Sequence, residues 1–91
     1  MASANIKQLL TFLGPDYTTK VIDGEECIYR KISKKYDIEV SGATRKNRAI
    51  NVYVWDISSG ARIIEQVTGI KSDLDLQKIL NSLSEKYLSL S

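Results

Sequence analysis

Apolar positions along the chain recur with two different periods. Ile6, Leu9, Leu10 and Leu13 fall at helical spacing and Gly14-Pro15 follows as a stop, which predicts a first helix of about ten residues. From Tyr17 the period shortens to two. A strand is expected over Tyr17 to Asp23, a turn at Asp23-Gly24, and a second strand over Cys27 to Ile32. Tyr36, Ile38 and Val40 then alternate with Asp37 and Glu39. After Ser41-Gly42 and a basic loop, the run Ile50-Asn51-Val52-Tyr53-Val54-Trp55 is the strongest strand signal and is expected at the centre of the sheet. Ser58-Ser59-Gly60 marks another hairpin before a strand over Arg62 to Thr68, with Ile63, Glu65 and Val67 on one side and Ile64 on the other. Ser72, with Asp75 three residues later, reads as a capping box for a last helix. On it Leu76, Ile79, Leu80, Leu83 and Tyr87 form one stripe, while Lys78, Glu85 and Lys86 face water. The expected fold is α+β, an antiparallel sheet of four to five strands flanked by an N-terminal and a C-terminal helix.

Length and composition narrow this to one unit, residues 1–91. A chain of 91 residues has material for one core, burying roughly 60% of its unfolded surface. With 43% hydrophobic and 26% charged residues it lies far from the disordered regime, and no repeat or linker divides it. The opening Met1-Ala2-Ser3 reads either as a natural start or as a cloning scar ahead of an excised domain. A single cysteine, Cys27, rules out an internal disulfide and points to a reducing compartment. No apolar run approaches the roughly 20 residues that span a bilayer, and the N-terminus lacks a secretory pattern. The expectation is a soluble, intracellular, cytoplasmic protein, peripheral to the membrane if it meets one.

The chemistry is defined mostly by exclusion. Histidine is absent, which removes the commonest general base and zinc ligand and every Ser-His or Cys-His nucleophile. The glycines at 14, 24, 42, 60 and 69 are isolated at turns, so no phosphate-cradling loop is present. No cofactor, no metal and no enzymatic activity is expected. Asp23, Glu25 and Glu26 read as a solvated hairpin tip, and Cys27 as a buried structural residue whose acidic neighbours disfavour its thiolate.

A partner is hinted at in two places. Seven of the thirteen basic residues fall between Arg30 and Arg48, where the only acids are Asp37 and Glu39. Strand alternation can bring Lys34 and Lys35 in one turn and Arg45, Lys46 and Arg48 in the next to neighbouring sheet edges as a cationic patch for phosphates; the alternative is a pair of solvated loop tips guarding exposed strand edges. The other hint is Tyr53 and Trp55, on one face of the best strand. The pattern favours their packing beneath a helix. Were one sheet face left open, they and Ile64 would become its contact residues.

The stretch Arg45 to Val54, then Arg62 to Thr68, then Gly69 to Lys78 resembles the end of the kinase-associated C-terminal domains that follow checkpoint, microtubule-affinity-regulating and AMP-activated-type kinases. The layout of helix, antiparallel sheet and helix is similar too. Where that family commonly has Lys-Gly-Asp before the last helix, this chain has Lys71-Ser72-Asp73. The resemblance implies a non-enzymatic regulatory module that binds anionic phospholipid or an acidic protein surface. By position, Lys34, Lys35, Arg45, Lys46, Arg48 and Lys71 would inherit the anion-binding role. The same element order occurs in RWD scaffold domains and in small phage-encoded inhibitors, so the alternative is a protein-interaction or inhibitor domain. Nucleic-acid binding ranks last, because the net charge is only +2 and no recognised motif is present.

Overall fold

The computed structural model describes residues 4–44 and 49–91. Within them the chain runs α1 (Ala4–Leu13), β1 (Thr18–Ile22), β2 (Glu25–Lys31), β3 (Tyr36–Ser41), β4 (Ile50–Asp56), β5 (Arg62–Ile70) and α2 (Asp73–Ser89). The strands form one antiparallel sheet in the order β1-β2-β3-β4-β5, each paired with its predecessor. This is the expected α+β architecture, with the sheet at five strands.

Local chemistry sets the boundaries. Asp23 and Gly24 take positive φ, 51° and 79°, and close Ile22 onto Glu25 in a two-residue hairpin whose twist demands that conformation at both positions. Ser72 caps α2, its hydroxyl oxygen accepting the Asp75 N–H at 3.1 Å, and Asp73 and Asp75 place negative charge at the positive end of the helix dipole.

The sheet is covered on one side. Ile6 and Leu9 of α1 share one core with Leu76, Leu80, Leu83 and Tyr87 of α2. The strand residues in that core include Ile28, Ile38, Val40, Val52 and Val54, which the register places on a single face. Polar contacts agree. Arg30, paired with Ile38, donates to Ser84 Oγ of α2 at 3.0 Å, and Glu65, paired with Val54, accepts from Tyr87 Oη at 2.6 Å and Lys86 Nζ at 2.8 Å.

Tyr53 and Trp55 point the other way and, contrary to the favoured reading of their pattern, no helix of the described residues covers them. The apolar set of β3 and β4 is large enough to occupy both helix stripes, so the second face is left without a helical partner. Strand β5 also departs from simple alternation. Irregularities between Val54 and Trp55 and between Ile50 and Val52 insert extra residues on β5. Ile63 is thereby paired with Trp55 on the open face, while Glu65 and Val67 lie on the helical one.

Candidate functional site

The open face carries the alternate residues of each strand. Lys20 and Ile22 come from β1, Cys27 and Tyr29 from β2, Asp37 and Glu39 from β3, Tyr53 and Trp55 from β4, and Ile63 from β5. In a flat sheet the two edge strands would stand about 19 Å apart, four interstrand spacings of about 4.8 Å. Here Ile22 of β1 and Ile63 of β5 line one cavity of about 360 Å³, and Lys20 and Ala61 line another of about 310 Å³. The sheet curls so that its edges approach over β3 and β4. Ile22, Glu39 and Trp55 belong to both cavities, which therefore form one groove.

The floor of the groove is acidic. Asp37 and Glu39 are only 8% and 7% exposed, although no helix covers them. Neighbouring side chains bury them instead. The Trp55 Nε1–H donates to Glu39 Oε1 at 3.0 Å, and Tyr29 lines the same cavity as Asp37. Glu25 Oε2 accepts the Gly42 N–H at 2.7 Å, so this carboxylate ties the β1–β2 hairpin to the end of β3 rather than being freely solvated. Asp37 Oδ1 is buried and receives no donor from the described residues.

Burial, with the nearby carboxylates, shifts the titrating groups of the groove. Burial, opposed by the Trp55 hydrogen bond and reinforced by Asp23 and Glu25, raises the Glu39 pKa above its ordinary value. Burial, then the neighbouring Asp37 carboxylate, push the Tyr29 phenol up to about 12. Burial, then Glu39 and Glu25, push the Cys27 thiol up to about 11. Cys27 is 1% exposed and its Sγ lies 4.0 Å from Glu39 Oε2, an inert structural thiol as its sequence context implied. The described residues contain no group of three or more cysteines and acids placed to hold a metal ion, and none of their helices is long and apolar enough to cross a membrane.

The residues expected to bind anions are distributed differently. Lys34 and Lys35 are exposed in the turn between β2 and β3, beside the β4–β5 hairpin, where the Ile57 N–H donates to Lys35 O at 2.7 Å. Lys71 is exposed just beyond Ile70, which pairs with the first residue of β4 at the other end of the sheet. Arg45, Lys46 and Arg48 lie outside the described residues. The six residues of β3, about 20 Å of strand, separate the two turns. The expected meeting of Lys34 and Lys35 with Arg45, Lys46 and Arg48 therefore falls outside the described residues, within which Lys34 and Lys35 stand at the opposite end of the sheet from Lys71.

Ile64, 38% exposed, sits at the irregularity on β5, and Ile63, 44% exposed, takes the place beside Trp55. Sequence reading did not single out Tyr29, Asp37 or Glu39. The signal was present in the strict alternation of β3, whose acids share a face with Tyr53 and Trp55. The chain matches no family model, no curated protein and no solved structure.

Proposed function

We propose that this chain is a non-enzymatic protein-interaction module and that its concave, helix-free sheet face is where the partner docks. The observation that carries the reading is the co-location of Trp55, Tyr53 and Ile63 with two nearly buried carboxylates in a groove uncovered by either helix. Aromatic side chains with a polar tip supply contact area at low entropic cost and are enriched in protein interfaces. Buried carboxylates are costly to keep unless they serve a purpose. Anion binding through the basic hairpins has weaker geometric support, since Lys34 and Lys35 sit at the opposite end of the sheet from Lys71.

Site-resolved photo-cross-linking in extracts of cells that express the chain tests the reading. A benzoylphenylalanine at Tyr53 is expected to give a discrete adduct that disappears when Trp55 is replaced by Ser. The same group at Lys78, exposed on α2, is expected to give none. Equal adducts from both positions, or none from Tyr53, would contradict the assignment.

A further inference from the structure

The groove specifies the chemistry of what it receives. Its charges are unbalanced. Asp23, Glu25, Asp37 and Glu39 line it, against Lys20 and, paired with Asp37 on the same face, Lys31. The imbalance is felt at the centre, where the acids Asp23 and Glu25 act on Glu39 ahead of Lys20. An anion or a nucleic acid is therefore repelled by the floor, and a cation attracted.

The walls suit a cation with an apolar stem. Lys20 Nζ already lies 4.6 Å from the centroid of the Tyr29 ring, so an ammonium group rests against an aromatic wall of the groove. Trp55, Ile57 and Ala61 line the same cavity, which at about 310 Å³ is of the size that takes one long side chain. At its base Asp37, only 8% exposed, has no donor to Oδ1 among the described residues. A buried acceptor left unpaired is an unmet demand that an incoming N–H satisfies.

The face is also peptide-sized. About 20 Å along the strands and, with the sheet curled, less than the flat-sheet width of about 19 Å across gives under about 400 Å² in projection, at most roughly half of what each partner contributes to a standard protein interface.

We propose that the groove binds a lysine or arginine side chain of a partner polypeptide, the cationic head donating to Asp37 Oδ1 and the methylene stem lying against Trp55. This rests on the reading of the open face as the docking surface and adds the partner's chemistry to it. Lysine and arginine both fit, because their stems pack on apolar surface while the head seeks a carboxylate.

The test uses the full chain, ¹⁵N-labelled, titrated with acetyl-Ala-Lys-Ala-amide, acetyl-Ala-Arg-Ala-amide and the norleucine analogue. Trp55 is the only tryptophan, so its indole N–H resonance reports on the groove without ambiguity. The lysine and arginine peptides are expected to shift it saturably, with midpoints on the order of 1–10 mM, while the norleucine peptide is at least tenfold weaker. Asp37→Asn is expected to weaken the cationic peptides at least tenfold, whereas Asp75→Asn on α2, the same loss of charge elsewhere, leaves them unchanged. Should Asp37→Asn fail to fold, raising NaCl over the native chain provides the second readout. It should weaken the cationic peptides and leave the norleucine peptide unaffected. Equal shifts by lysine and norleucine peptides would overturn the cation assignment and leave the docking face standing. No shift by any peptide, with a discrete adduct still formed from Tyr53, would do the same. No shift and no adduct would bring down both.

Discussion

Replacing one β-branched residue by threonine on either side of the sheet measures how differently its two faces are covered. Val54 is wholly buried beneath the helices, and Ile63, across a strand boundary on β5, is 44% exposed beside the groove. Val54→Thr keeps volume and β-propensity but places a hydroxyl in the apolar core. The β4 backbone is paired to β3 on one side and β5 on the other, leaving little for that hydroxyl to bond. The cost is about 1–3 kcal/mol. Ile63→Thr puts its hydroxyl in water and loses partly exposed surface, for about 1 kcal/mol or less. An unfolding entropy of roughly 2.1 cal/mol/K per residue comes to about 0.19 kcal/mol/K for this chain, so Tm should fall by about 5–15 °C for Val54→Thr and by less than about 5 °C for Ile63→Thr. Thermal unfolding followed by far-UV circular dichroism reads both. Equal falls would mean that the face carrying Ile63 is as covered in solution as the helical one, and the argument from an open face would collapse.

Other consequences are independent of the partner. Because the Glu39 pKa is raised on folding, the native state binds its proton more tightly than the unfolded state does. Stability from this group is therefore present at acid pH and lost as pH rises through the folded pKa. Glu39→Gln, which keeps an oxygen for the Trp55 N–H, should raise the urea midpoint at pH 7 and lose that advantage near pH 4; a lowered midpoint at pH 7 would count against the buried carboxylate. Gly42 has φ +81°, and a Cβ there would stand 2.6 Å from Ala49 O, so Gly42→Ala should cost on the order of 1–3 kcal/mol in denaturant unfolding, whereas a neutral outcome would deny that backbone geometry. With its pKa pushed up to about 11, the Cys27 thiol is on the order of 10²-fold less ionised at pH 8 than an ordinary one. Labelling by a disulfide reagent should accordingly wait on unfolding, and prompt labelling of the native chain would contradict its burial.

Much of this architecture is legible in the amino-acid sequence itself. The helical stripe of Leu76, Leu80, Leu83 and Tyr87, the Ser72 cap and the Asp23-Gly24 turn are local signals, and each is realised with the expected geometry. Whether the helices share a face is not legible there, because that depends on how much apolar surface two strands pool together. Ile38, Val40, Val52 and Val54 sit on one side of adjacent strands and absorb both helices. The site is hidden for a related reason. Asp37 and Glu39 look like ordinary outward positions of an alternating strand, and only the curl of the sheet, a collective result of strand twist, buries them under Trp55 and Tyr29. Of the basic residues given an anion-binding role, Lys35 and Lys71 lie at opposite ends of the sheet.

The most direct test of an open, acidic interaction face is quenching of the fluorescence of Trp55, the chain's single tryptophan. Acrylamide, caesium and iodide would be compared at matched ionic strength, each normalised to N-acetyltryptophanamide. The account predicts that acrylamide reaches the indole and that caesium quenches it more efficiently than iodide, because the carboxylates of Asp37 and Glu39 concentrate cations beside it. Preferential quenching by iodide, or an indole inaccessible to all three, would contradict it.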